Sequence, residues 1–304
     1  MPKVAISIGD INGISLEIAL RAHESIKKYV DPIYVADKKL IKKGAELLSL
    51  DIPKDFELSE LGCETSIEPT EITKEAGSYS FASFLQAVSM AEKKEVDFIV
   101  TLPISKEAWG KAGIEYKGHT DFFKQHYKKE AIMMLGCEHL QVALFTEHMA
   151  LKNVYKTIGR VKIYEFLQTL QKETKSKKIG VLGLNPHAGD GGVLGSEDIE
   201  IEEAINMANE SLQEKIFYGP LVPDIAFIPK NRERFKLFVA MYHDQGLAPL
   251  KALHFEESIN TTLNIPIKRF SPDHGCAYDI AYSGKPISLL SYINCFKLYC
   301  QNAL

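Results

Sequence analysis

Ile179-Gly180-Val181-Leu182-Gly183-Leu184 runs without a break into Asn185-Pro186-His187-Ala188-Gly189-Asp190-Gly191-Gly192. The first piece is apolar at every position and does not alternate, which reads as a strand covered on both faces. The second is polar and rich in glycine and proline, so it ends the strand in a loop. Ser196 then precedes a helical pattern over Ile199 to Lys215, with Glu197 and Asp198 placed to meet the positive end of that helix. Strand, polar loop and helix in this order form the repeating unit of an α/β fold with a mainly parallel sheet.

The unit recurs along the chain. Strands are predicted over Val4-Ile8, Ile33-Val35, Phe98-Thr101, Val142-Phe145, Ile225-Phe227 and Phe238-Met241, and helices over Leu16-Tyr29, Ser78-Lys94 and Ile163-Lys172. Several of these strands end as the quoted one does. Phe98-Thr101 leads into Leu102-Pro103-Ile104-Ser105-Lys106, Val142-Phe145 into Thr146-Glu147-His148, and Phe238-Met241 into Tyr242-His243-Asp244-Gln245-Gly246. In open α/β sheets the carboxyl ends of strands face the crevice where ligands bind. A chain of 304 residues, 45% hydrophobic and 25% charged, is long enough for two lobes around such a cleft. No repeat or Pro/Gly linker marks their junction. The expected division is 1–130 with 270–304 in one lobe and 131–269 in the other, the second carrying most of the candidate metal and substrate positions named below.

Several classes of function are excluded at this level. A net charge of -4 leaves no global basic field for nucleic acid, and the lysines between Lys172 and Lys178 read as a solvated helix end. No apolar run reaches the roughly 18 residues of a membrane span, and the opening residues lack the features of an export signal. The five cysteines, Cys63, Cys137, Cys276, Cys295 and Cys300, are odd in number and scattered, without a C-x-x-C pair. A reducing compartment, the cytoplasm, is the expected location. Most of the cysteines read as small core residues, with Cys276 set apart because it follows a polar cluster.

Candidate chemistry collects after the strands. His148, His187 and His243 each stand just beyond an apolar run, and three neutral imidazoles with an open position suit a catalytic divalent ion. Each is also explained as a hydrogen-bonded loop residue. The glycines of Asn185 to Gly195 would let backbone N–H groups approach a phosphate, or they form a plain turn before the next helix. The same two readings hold for Gly9-Asp10-Ile11-Asn12-Gly13. Gly118-His119-Thr120-Asp121 reads as a helix start, with Thr120 as cap and with His119 and Thr120 placed to hold an anion. Lys251, Asn260 and Arg269 offer two cations and an amide to a phosphorylated acid, or lie on the surface. Asp273 and His274, within Ser271-Pro272-Asp273-His274-Gly275, are a turn or an acid/base pair. No G-x-G-x-x-G dinucleotide fingerprint is present.

Four of these segments, Gly118-His119-Thr120, Asn185 to Gly192, Met241-Tyr242-His243-Asp244-Gln245-Gly246-Leu247 and Asp273-His274-Gly275, resemble signature segments of the 4-hydroxythreonine-4-phosphate dehydrogenase family, in the family's order and across nearly the whole chain. The resemblance implies two α/β/α lobes with a cleft between them, similar to isocitrate and isopropylmalate dehydrogenases. It implies a homodimer whose active site takes residues from both subunits, an NAD or NADP cofactor, and one divalent ion per subunit, Zn2+, Mg2+ or Co2+. The matching metal ligands are His148, His187 and His243. The matching substrate residues are His119, Thr120, Lys251, Asn260 and Arg269. Lys251, His119, Asp273 and His274 are then the candidates for proton handling. The implied reaction belongs to pyridoxine biosynthesis: oxidation and decarboxylation of 4-phosphooxy-L-threonine. Two departures concern loops: Gly9 to Glu17 lacks two prolines and a glycine of the family's pattern, and Leu102 stands where a glycine is usual.

Overall fold

A computed structural model describes residues 1–301. In chain order these form β1 (Lys3–Ser7), α1 (Ser15–Ile26), β2 (Asp31–Val35), α2 (Lys38–Leu48), β3 (Glu57–Leu58), α3 (Lys74–Glu92), β4 (Phe98–Thr101), α4 (Lys106–Lys111) and α5 (His119–Tyr127). There follow β5 (Ile132–Gly136), β6 (Gln141–Leu144), α6 (Leu151–Val154), α7 (Arg160–Thr174), β7 (Ile179–Leu182), α8 (Glu197–Leu212), β8 (Phe217–Leu221), α9 (Pro229–Arg234), β9 (Leu237–Ala240) and α10 (His243–His254). The chain ends with β10 (Ile259–Leu263), β11 (Arg269–Pro272) and α11 (Leu290–Cys300). No helix among the described residues is long and apolar enough to cross a membrane.

The chain divides into two compact units, the first made of residues up to Ala131 together with those from Ile259 onward, the second of Ile132–Ser258. In the first unit the strands lie in the order β3-β2-β1-β4-β11-β10. All neighbouring pairs are parallel except β10 with β11. The absence of polar alternation in β1 has a direct cause, because both of its faces are covered. Val4 and Ile6 pack into one apolar layer with Leu16 of α1 and Phe296 of α11, while Ala5 packs on the other side with Phe84, Trp109 and Phe123.

In the second unit the order is β5-β6-β9-β7-β8, with β5 antiparallel to β6 and the rest parallel. Val142, Leu144, Phe238 and Ala240 join Leu247 and Leu250 of α10 in one core, so the apolar stripe of α10 sits on β6 and β9. Gly246 permits this approach, since a Cβ there would come within 2.4 Å of Val142.

Two expectations change. Ile225-Phe227 is not a strand: Pro223–Ile225 is a short 3-10 turn, Ile225 is half exposed, and the strand of this region is β8, whose Phe217 is fully buried. Pro223 fixes a backbone angle suited to the first turn of a helix. The second change is in the division of the chain, because Ile259 to Arg269 belong with the first unit. β10 pairs with β11, and β11 pairs with β4, so this segment completes the first sheet. Asn260 and Arg269 therefore lie in the first unit with His119 and Thr120, and Lys251 alone of the expected substrate residues lies in the second.

Candidate active site

Arg269 opens β11, between β4 and β10, and is only 3% exposed. Its guanidinium donates through Nε and Nη2 to Thr101 Oγ1 on β4, at 3.0 and 2.6 Å, and through Nη1 to Thr262 Oγ1 on β10, at 3.0 Å. The strand order thus hangs a buried cation between hydroxyls on both neighbouring strands. Among the described residues no carboxylate pairs with it. Burial pushes the guanidinium down to about 10, still charged at neutral pH. A buried charge held by neutral groups alone is costly, and an anion from outside would compensate it.

The third partner is His119, whose Nδ1 lies 3.1 Å from Arg269 Nη2. A guanidinium can only donate, so Nδ1 accepts and the imidazole keeps its proton on Nε2. Burial, then the charges of Arg269 and Lys106, hold this imidazole well below the usual value of 6.5. Nε2 is itself buried and has no hydrogen-bond partner. The ring is wedged edge-on against Phe84 and Trp109, which fixes its plane. His119 is also the first residue of α5, capped by Gly118 at φ 136°, a conformation open to glycine. Thr120 is therefore inside the first turn and is not the cap. A backbone turn through glycine replaces the side-chain cap expected from the sequence.

Asn260 faces the same side of the sheet as Thr262 and Arg269, because β10 alternates and Thr262 pairs with Arg269. Its Oδ1 is buried without a partner. One face of β10 and β11 thus presents a cation and, from Asn260, an acceptor. Asp273 and His274 follow β11 directly and are half-buried, with the Asp273 amide donating to Ser291 Oγ at 2.9 Å.

The Gly9 to Glu17 loop is fully buried, and the side chains of Asp10 and Asn12 are engaged within the protein. Asp10 accepts from the Asn12 amide at 2.9 Å and from Tyr278 Oη at 2.9 Å. Burial raises the carboxyl of Asp10, and these hydrogen bonds oppose the rise. Asn12 Nδ2 donates to the Glu71 carbonyl and to Thr73, while its Oδ1 accepts from the Glu68 amide. Tyr282 donates to the Ile11 carbonyl at 2.6 Å. This loop is a hub joining distant segments.

In the second unit His148 and His243 come together, with ring centroids 5.4 Å apart. Two imidazoles on one tetrahedral ion would place their centroids about 5 Å apart, given metal–nitrogen bonds of about 2 Å. His243, the first residue of α10, has Nδ1 2.7 Å from Asp244 Oδ1, which leaves Nε2 as the nitrogen for an ion. A carboxylate behind a ligating imidazole is the usual support of such a ligand. The donor set therefore fits a divalent ion. His187 lies in an unusual run, His187 to Gly191, with every φ between 46° and 78°. It does not join the other two in any cluster of donor atoms within 4.8 Å.

The loop bearing His187 is tied down from the side. Asp198, 3% exposed near the start of α8, accepts from the amides of Leu184 and Asn185 at 2.7 and 3.1 Å and from Asn185 Nδ2 at 2.8 Å. Gly183 leaves room for that carboxylate, since a Cβ there would meet it at 2.5 Å. With Glu197 also bonded to Asn185, the loop is an acidic surrounding, unsuited to a phosphate cradle. Lys251 lies further along α10, half-buried, with Nζ 5.8 Å from the Phe255 ring centre.

Four supporting residues escaped the sequence reading as site residues: Thr101 and Thr262 under Arg269, Lys106 near His119, and Asp198 under the His187 loop. Thr101 ends a legible strand, which was its only signal. Thr262 sits in a polar strand that carries little apolar pattern.

Each unit is thus an α/β layer structure, one holding a buried cation open to an anion, the other a pair of imidazoles. The fold is similar to that of a β-decarboxylating dehydrogenase. The structure of such an enzyme from Thermococcus kodakarensis covers 99% of this chain, and 84% of its own, at a TM-score of 0.50 and 14% identity, a likeness of fold alone. The chain belongs to the family of the pyridoxal phosphate biosynthetic protein PdxA, whose model matches residues 28–298. A 4-hydroxythreonine-4-phosphate dehydrogenase of Sulfurimonas denitrificans is 51% identical over 295 residues, 97% of this chain and 96% of that protein. The crystal structure of a 4-hydroxythreonine-4-phosphate dehydrogenase from Klebsiella pneumoniae superimposes at a TM-score of 0.83 and 28% identity, covering 99% of this chain and 98% of that one.

Proposed function

We propose that this protein is a metal-dependent NAD(P) dehydrogenase that oxidises 4-phosphooxy-L-threonine to 2-amino-3-oxo-4-phosphooxybutanoate, which loses CO2 to give 3-amino-2-oxopropyl phosphate. The observation that carries this reading is the buried Arg269 guanidinium without a carboxylate, set beside the buried Nε2–H of His119. Family membership and the name of the Sulfurimonas relative support it.

Arg269, with the N–H groups opening α5 at His119 and Thr120, binds the phosphate or carboxylate end of the substrate. His119 donates from Nε2 to an anionic oxygen and, being neutral with Nδ1 occupied, holds the proton and does not serve as the base. Asn260 Oδ1 accepts from the substrate's ammonium group. Lys251 binds substrate, and it, Asp273 and His274 remain the residues for taking up the hydroxyl proton, for which a bound nicotinamide would supply the hydride acceptor. His148, His187 and His243 would hold the divalent ion, Zn2+, Mg2+ or Co2+, with Asp244 behind His243. When bound there, the ion supplies Lewis acidity toward hydroxyl and carbonyl oxygens.

The working form in this reading is a homodimer with shared sites. Light scattering tests the assembly, and activity recovered on mixing His148→Ala with Lys251→Ala protein tests the sharing; a fully active monomer would overturn both. The main assay is NADH or NADPH formation from 4-phosphooxy-L-threonine with and without chelator. Absence of reduced nucleotide with every divalent ion supplied would sink the assignment.

A further inference from the structure

Cys137, His254 and Glu257 lie together at the end of α10 opposite His243, roughly 16 Å away along a helix that rises 1.5 Å per residue. Their donor atoms, a sulfur, a ring nitrogen and a carboxylate oxygen, all lie within 4.8 Å of one another. None of the three takes part in the chemistry described above.

The backbone builds this grouping in two places. Cys137 closes the turn between β5 and β6, its amide donating to the Leu140 carbonyl at 2.8 Å. Gly136 before it has φ 152°, and a Cβ there would stand 2.2 Å from the Leu140 oxygen, so the turn has one geometry. The Cys137 side chain is buried, 2% exposed. At the other place, α10 ends at His254, whose carbonyl accepts from both the amide and the hydroxyl of Ser258, at 3.2 and 2.8 Å. That turn brings Glu257 back over His254, with Nδ1 and Oε2 3.4 Å apart. A nitrogen and an oxygen on one tetrahedral zinc ion, each about 2.0–2.1 Å from it, would be separated by about 3.4 Å. The other ring nitrogen of His254, Nε2, is buried and has no hydrogen-bond partner, and with an ion at Nδ1 it carries the proton of the imidazole.

We propose that Cys137, His254 and Glu257 bind a divalent transition ion of the zinc class, pinning the β5–β6 turn to the end of α10. One thiolate, one imidazole and one carboxylate favour zinc or cobalt over magnesium or calcium, which take oxygen ligands. The exposed His139, its ring 6.1 Å from that of His254, is a further donor at the rim. Burial, with Glu257 nearby, raises the Cys137 thiol above its usual range. One proton therefore leaves the sulfur as the ion arrives, and binding strengthens with pH. A second cluster, His23, Glu24 and Asp55, meets the same distance criterion but differs. There both ring nitrogens of His23 are engaged, by Tyr34 and Asp55, and Lys27 already pairs with Asp55.

Cobalt is the probe that separates this site from an all-histidine one, because a sulfur-to-cobalt charge-transfer band in the near ultraviolet requires a cysteine ligand. Titration of the full chain with Co2+ is expected to give the band, complete by two equivalents per chain because the histidine site can take a second ion, and Zn2+ should abolish it. The band should be lost in Cys137→Ser and kept in His148→Ala/His187→Ala/His243→Ala and in Cys63→Ser/Cys300→Ser. His254→Gln and Glu257→Gln, with helix content checked by circular dichroism, should each weaken Co2+ binding at least tenfold. The proposal is overturned if the unaltered chain gives no band, if the band survives Cys137→Ser, or if both glutamine variants bind as tightly as the parent. None of these measurements depends on turnover, so they stand apart from the dehydrogenase assay.

Discussion

Arg269 Nη2 lies 3.1 Å from His119 Nδ1, so a guanidinium in β11 decides which nitrogen of an imidazole at the start of α5 carries the proton. The pair is held from both sides, by Thr101 and Thr262 on the cation and by Phe84 and Trp109 on the ring. Replacement of Arg269 therefore alters two groups at once.

Arg269→Lys is expected to be a poor substitute, because an ammonium cannot span the two threonine hydroxyls and the imidazole in one plane. Loss of a charge-assisted contact worth about 1.5–3 kcal/mol should raise KM for the phosphorylated substrate about 10- to 100-fold. KM for NAD(P)+ should change far less. Equal changes in both would remove Arg269 from the substrate's end of the site.

Acid should destabilise the protein through His119 and His23. Burial holds both imidazoles below 6.5, with Arg269 and Lys106 adding to the effect at His119 and Lys27 at His23, where Glu24 opposes it. Above 6.5 both states are neutral. As pH falls through 6.5 the unfolded chain takes up protons that the folded one refuses, so stability drops. Urea unfolding at pH 7.5 and 5.5 measures the drop, and His119→Gln should reduce it. An unchanged slope would mean that His119 charges readily in the folded state.

Asp198→Asn should cost about 1–3 kcal/mol, because an amide NH2 would face donors that the carboxylate now satisfies. In the proposed dehydrogenase the same change loosens the loop of His187 and weakens binding of the divalent ion. Urea midpoints and a metal titration read the two effects separately. Loss of stability with unaltered ion affinity would argue against His187 as a ligand.

Exhaustive chelation should remove NAD(P)+ reduction, with recovery on adding back a divalent ion. His148→Ala and His243→Ala should each lower kcat/KM at least a hundredfold and leave the far-ultraviolet circular dichroism spectrum unchanged. Full turnover in the chelated protein would eliminate the ion from the reaction.

Gly9→Ala should be strongly destabilising, because Gly9 has φ 66° and its added Cβ would come 2.3 Å from the Pro103 carbonyl oxygen. The clash falls on backbone at the end of β1, where neither side can yield cheaply. A fall in Tm of more than about 5 °C is expected, the effect of about 3 kcal/mol in a protein of this size. A Tm within 1 °C of the parent would show that the loop can move.

Legibility followed burial. β1, β2, β4, β6, β7 and β9 could be read because most of their buried positions are apolar. β10 and β11 escaped, since Thr261, Thr262, Arg269 and Ser271 are buried polar residues, and a strand that holds a cation carries no apolar pattern. β5 was hidden by Met133 and Met134, which have no strand preference of their own. At the site, the positions of His148, His187 and His243 after apolar runs, and of His119 at a helix start, were visible. The left-handed run of His187, the capping of α5 by Gly118 and the use of Asp198 as an anchor depend on backbone angles and distant partners that no local spacing records.

The insertion of β11 between β4 and β10 has a consequence for synthesis. β4 leaves the ribosome long before residues 269–272, so the side of β4 that will meet β11 stays unpaired while the second unit, one continuous segment, is completed. An open parallel edge of apolar residues is a template for wrong pairing between nascent chains. Truncation before β11 should therefore yield aggregation driven by the first unit and a second unit that still gains native structure, which makes the last part of the chain the folding lock of its first part.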